Sequence, residues 1–275
     1  MSFPLFLLFF IVFSPVSRFA LAETPFSFDH SEWDQFLKEF VNEKGEVNYR
    51  AAKEKPAHLE NYLQKLKSIP ETEFNQWPRE ERIALFINAY NAGLIQTILK
   101  HYPVKNVMAI PGIWEEHSIQ MTLPPLSDKP RAYSLNQIQK EVLIQQFRDE
   151  KILFALGNAA KGSPSLQREA FVGPRLEGQL YLATRKFVND PARNRISTAS
   201  KKIILSRIFQ WYGGDFLLNW GNYPEEERWK PQERAVLSFF AHYLEDSKKV
   251  EFLKEGEYKV KYDSFDWRLN DWQKA

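Results

Sequence analysis

The sequence predicts an α+β fold, a helix-rich single domain in which a buried central helix packs on a small, mostly antiparallel sheet. Three observations carry this expectation. The run Ile83–Leu99 is apolar on every side, the pattern of a helix covered all round rather than along one stripe. Amphipathic helical stripes recur on both sides of it. Short segments at 152–157, 203–205 and 257–262 have the length and patterning of strands.

Taken in order, the chain opens on Leu5–Phe13, an apolar core too short to span a membrane, broken by Ser14-Pro15. Ala20-Leu21-Ala22 follows as a small-x-small cleavage pattern, so residues 1–22 are expected to be a signal peptide and 23–275 the mature domain. Trp33, Phe36, Leu37, Phe40 and Val41 then mark an amphipathic helix capped by Asp29 or Ser31. Val47-Asn48-Tyr49 reads as a short extended piece, and Leu59, Tyr62, Leu63 and Leu66 as a second helical stripe. Pro78 is placed to open the central helix, with Glu80 and Glu81 at its positive end.

Residues 101–133 are irregular, punctuated by Pro111, Pro124, Pro125 and Pro130, with Ile119–Leu123 as a strand. Ser134 and Gln137 fit a capping box that starts a helix running to about Phe147. Ile152–Gly157 is a continuous apolar run, consistent with a buried central strand, and Asn158–Ser165 is turn-rich. Pro174 begins a helix with Leu176, Leu180, Ala183 and Phe187 facing inward, stopped by Asn189-Asp190-Pro191. Ile203–Leu205 is a strand, Ser206 caps a short helix, and Pro231 opens another that ends near Leu244. Glu257–Tyr262 alternates as a half-exposed antiparallel strand.

Composition narrows the function classes. With 275 residues, 44% of them hydrophobic and 15% aromatic, the chain supports a sizeable core. Its net charge of +2 falls to +1 once residues 1–22, which hold Arg18 and no acid, are removed. No basic stripe, finger or glycine-rich phosphate loop calls for nucleic acid. The absence of cysteine excludes disulfides, a thiol nucleophile, a thiolate metal site and a lipid-bearing cysteine. His30, His58, His101, His117 and His242 lack the close spacing of metal ligands, so neither a metal nor a cofactor is expected. After signal cleavage no integral membrane span is expected either.

Several motifs together resemble one family. They are Gly45–Tyr49, Phe86-Ile87-Asn88-Ala89-Tyr90-Asn91-Ala92, Phe154–Leu166, Leu205–Tyr212 with Asp215-Phe216, and Phe265–Asn270. In this order, over nearly all of the mature chain, they resemble the domain of unknown function 547 family, an exported bacterial type of protein. The resemblance implies a histidine where Lys140 stands, and the pattern His-x-Ala-Leu-x-Cys-Ala-Ser-x-x-Cys-Pro where this chain reads Leu153–Pro164. Asn158 and Ser163 thus occupy the two cysteine positions, and Leu153 a histidine position. A Cys–His pair would serve as nucleophile and base, or in a disulfide or metal cluster, and this chain cannot repeat it.

The remaining candidates each have a structural alternative. Lys140, Asn158 and Ser163 are the catalytic candidates, though Ser163 also fits a turn before Pro164 and Lys140 a solvated pair with Glu141. Asn88 and Asn91, three apart on one helical face, either orient a ligand or clamp a loop, and Tyr90 is most simply core with a bonded hydroxyl. The expected function is an exported, periplasmic or extracellular, non-catalytic binding protein on a degenerate enzyme-like scaffold, with an unidentified protein or small molecule as ligand. The alternatives are a hydrolase or transferase using a Ser/Lys/Asn constellation, and a structural envelope component.

Overall fold

The computed structural model describes residues 27–121, 131–221 and 229–272. The expected signal segment lies outside these, as do Thr122, Leu123, Pro124, Pro125 and Pro130. The order of elements is α1 (Ser31–Phe40), α2 (Tyr49–Glu54), α3 (Ala57–Leu66), α4 (Glu71–Phe74), α5 (Arg79–His101), β1 (Ile119–Met121), β2 (Arg131–Tyr133), a π-helix (Gln137–Ile144) continued by α6 (Gln145–Phe147), α7 (Leu176–Val188), β3 (Arg195–Ser197), β4 (Lys202–Leu205), α8 (Arg207–Trp211), α9 (Leu217–Trp220), α10 (Pro231–Tyr243), α11 (Ser247–Glu255) and β5 (Lys259–Tyr262). This is a helix-rich α+β architecture with, among the described residues, one two-stranded and one three-stranded sheet.

Helix α5 is the axle. Every residue from Ile83 to Ile95 is buried, as the all-round apolar pattern requires. Helices α2 and α3, the π-helix, α7 and strand β1 all pack against it. Its contact with β1 is close because Gly93 has no side chain: a Cβ there would lie 2.3 Å from Cγ1 of Ile119. Around α5 one core cluster gathers Trp33, Phe36, Tyr62 and Phe86. A second cluster centres on Phe154, whose ring lies 5.1 Å from Phe187, 5.7 Å from Phe209 and 5.5 Å from Phe239. The segment 152–156 is the seam, with Phe154 in the second cluster and Ala155 and Leu156 in the first.

That seam corrects one expectation. Residues 150–154 form a 3-10 helix, not a central strand. Asp149 caps it, its carboxylate accepting from Lys151 N–H at 3.0 Å, and downstream backbone groups bond to Asn91 rather than to a ladder. An unbroken apolar run reports burial and leaves conformation open. A second correction concerns β5, which pairs in parallel with β4 while β3 pairs antiparallel on the other side. Its alternation reflects half-burial and carries no strand direction; α8 to α11 form the crossover that makes the pairing parallel. The capping box is present: Gln137 N–H donates to Ser134 Oγ and Ser134 N–H to Gln137 Oε1, both at 3.1 Å. Beyond it the helix widens to π geometry, burying Ile138, Gln139, Val142 and Leu143.

The C-terminal segment ties distant parts together. Asn270 N–H donates to Ala159 O and Val47 N–H to Asn270 O, while the Tyr49 hydroxyl donates to Asn270 Oδ1 at 2.7 Å. Arg268 and Asp266 carbonyls accept from Lys161 and Gly162 N–H at 2.8 and 2.9 Å. The loop 158–165 is thereby held against the end of the chain. No described helix is long and apolar enough to cross a membrane.

Candidate functional site

The site is built on the loop 155–166 and the face of α5 that holds it. Asn91, buried at mid-helix, donates from Nδ2 to Ala155 O at 2.9 Å and accepts from Gly157 N–H at 2.9 Å. One turn earlier Asn88 donates to Phe171 O at 2.8 Å and accepts from Phe171 N–H at 3.0 Å. Both amides therefore substitute for a strand partner, each satisfying a donor and an acceptor of a buried backbone. Their three-residue spacing makes the face continuous, so two loops are braced by one helix.

Behind Asn88 lies a histidine that the sequence offers only as one of five without metal-ligand spacing. His30, 4% exposed, has Nδ1 at 2.9 Å from the Tyr62 hydroxyl and 3.2 Å from Asn88 Nδ2. With two donors around Nδ1, that nitrogen accepts and the ring proton sits on Nε2, which has no partner among the described residues. Burial holds the pKa of His30 down at about 3, with the nearby Asp29 pulling the other way. Only the tertiary contact with Tyr62 and Asn88 gives His30 its role, and no local signal announced it.

The candidate catalytic residues do not form one constellation. Tyr90, fully buried, donates its hydroxyl to Asn158 Oδ1 at 3.3 Å, and burial raises its pKa above the ordinary tyrosine value. Asn158 is half-buried and followed by Ala159 in a left-handed conformation, φ 52°, which orders the turn beyond it. Ser163 is 1% exposed, and its hydroxyl donates to Ala160 O at 2.6 Å. Lys140 is exposed on the π-helix, and among the described residues no hydrogen bond joins it to Ser163. Its neighbour Gln139 faces inward and donates to the Tyr212 hydroxyl at 2.9 Å. A π-helix is often found at functional positions, which makes Lys140 a marked position without making it a base.

Beside Ser163 the loop borders a cleft of about 570 Å³, between Gly45, Lys186, Arg193 and Asn270. Gly45 is required there: its φ is +80°, and a Cβ would meet Ser165 Cβ at 2.7 Å and Leu166 O at 2.8 Å. Arg193 braces the outer side of the loop, donating from Nε to Ser163 O at 2.9 Å and from Nη2 to Lys161 O at 3.2 Å, and pairing with Asp190. Neither Lys186 nor Arg193 was singled out in the sequence, where each is one of 37 basic residues. Among the described residues no group of three or more His, Asp or Glu side chains could hold a metal ion.

Comparison with known proteins adds one match. Residues 74–188 match the family model described as protein of unknown function, DUF547. That span runs from α4 through α5 and the clamped loops to the end of α7, and so contains both asparagines, Lys140, Asn158 and Ser163. No curated protein and no solved structure matches the chain.

Proposed function

We propose, for a chain whose residues 74–188 belong to the DUF547 family, that it is an exported, non-catalytic binding domain. One observation carries the non-catalytic reading: both helix amides and the Ser163 hydroxyl are committed to the backbone. Asn88 and Asn91 each hold a loop by a donor and an acceptor, and the Ser163 hydroxyl is buried against Ala160 O. A serine nucleophile needs a base within hydrogen-bond reach, and Ser163 Oγ donates instead to a backbone carbonyl. The braced loop instead gives the neighbouring cleft a fixed wall, which lowers the ordering cost of binding. Export rests on the apolar segment Leu5–Phe13 and the Ala20-Leu21-Ala22 pattern.

The hydrolase or transferase alternative places the chemistry on Ser163. Incubation of the full protein with a serine-directed fluorophosphonate, followed by peptide mapping, separates the two. The expected result is no adduct on Ser163. An adduct on Ser163, with ester turnover that Ser163→Ala abolishes, would establish the enzyme instead.

A further inference from the structure

We propose that the cleft bounded by Lys44, Lys161, Lys186 and Arg193 binds a tetrahedral oxyanion, the phosphate or sulfate group of a small ligand. This deepens the binding reading above and rests on it for the use made of the site. The cleft, about 570 Å³, has the size of a small-molecule site and lies against the loop that α5 and the C-terminal segment hold rigid.

Its charges are unevenly matched. Four basic side chains face three acidic ones, Glu43, Glu46 and Asp190. The acids are engaged: Glu43 pairs with Arg168, Asp190 with Arg193, and Glu46 accepts from Asn42 Nδ2 at 2.9 Å. Lys186 donates to a carbonyl, Glu43 O, at 3.1 Å. No carboxylate lies within ion-pair distance of Lys44, Lys161 or Lys186 among the described residues. Lys186 is also partly desolvated, which holds its pKa below the ordinary lysine value; Glu43 pulls the other way, more strongly than Arg193 repels it. An anion in the cleft would offset the desolvation of that ammonium group.

The donors present select the shape of the anion. Arg193 is fixed, its guanidinium 5.8 Å above the Phe187 ring and its N–H groups directed to Ser163 O, Lys161 O and Asp190. Its planar fork is therefore not open for a bidentate grip on a carboxylate. What remains are ammonium groups, compact charges with donors in several directions, which suit an anion with oxygens in several directions.

The test is calorimetric titration of the full protein with sodium phosphate and sodium sulfate at constant ionic strength, with chloride and acetate as comparators. Phosphate or sulfate should bind saturably, with acetate and chloride weaker. Lys186→Gln should weaken phosphate on the order of tenfold, the loss of one charge-assisted hydrogen bond, and Lys186→Arg should restore most of it. Lys140→Gln, on the exposed side of the π-helix, should leave the affinity unchanged. Equal heats with chloride, acetate binding as tight as phosphate, or Lys186→Gln with unaltered affinity and an unaltered melting temperature would each overturn the proposal. Those failures differ from failure of the non-catalytic reading, which shows as an adduct on Ser163 whether or not phosphate binds.

Discussion

At the scale of single residues, the amide of Asn91 does the work of a strand. Replacing it with leucine leaves Ala155 O and Gly157 N–H buried without partners. Asn91→Leu should therefore lower the unfolding free energy by about 2–4 kcal/mol, although it adds apolar surface. A chemical denaturation curve with unchanged midpoint would contradict this. His30 gives a second prediction with a definite sign. Its folded pKa, about 3, lies below the ordinary 6.5, so the unfolded chain takes up a proton that the folded chain refuses. The stability tied to the neutral ring is complete above pH 6.5 and declines as pH falls toward 3, with a limiting slope of about 1.4 kcal/mol per pH unit. Urea unfolding between pH 7 and 5 follows this contribution, opposed by the carboxyls of Glu81, Asp149 and Asp215 that burial raises, and the His30 variant separates the two. His30→Gln should flatten the slope over that interval, and an undiminished slope would assign it to another group.

At the scale of elements, α5 is shaped by what presses on it. Glycine in mid-helix ordinarily costs about 1 kcal/mol relative to alanine, so Gly93→Ala on an isolated helix would stabilise. Here the added methyl would fall 2.3 Å from Ile119 Cγ1, and β1 would have to shift away from the helix. Gly93→Ala should thus destabilise by about 1–3 kcal/mol, the cost of overpacking less the gain in propensity. A rise in melting temperature would show that β1 yields freely. The same element bears on the clamped loops, because Asn88 and Asn91 transmit any displacement of α5 to Phe171 and to 155–157.

At the scale of the whole molecule, the chain closes on itself. Asn270 reaches Tyr49, 221 residues earlier, and Ala159 between them, so the loop of the candidate site is completed only when the last residues dock. Export adds a prediction at this scale. If the segment 1–22 is cleaved after Ala22, intact-mass analysis of the protein recovered from the envelope or medium should give a chain beginning at Glu23. Recovery of a chain that still begins at Met1 would mean that the segment is kept.

The sequence by itself determined the parts whose causes are local. The positions of α1, α3, α5, α7 and α10 follow from the apolar pattern, the starts of α5 and α10 from Pro78 and Pro231, and the start of the π-helix from the Ser134–Gln137 pair. Burial of Asn88 and Asn91 was legible too, because an all-round apolar helix has no exposed face. Tertiary structure alone decided what those amides hold, since their partners lie 64 to 83 residues away. It also decided that 150–154 winds as a 3-10 helix, that β5 runs parallel to β4, and that Lys186 and Arg193 share a cleft beside Ser163. The physical reason is the same in each case. Side-chain period and capping act within a few residues, whereas strand direction, loop conformation and the meeting of charges are set by groups that only the folded chain brings together.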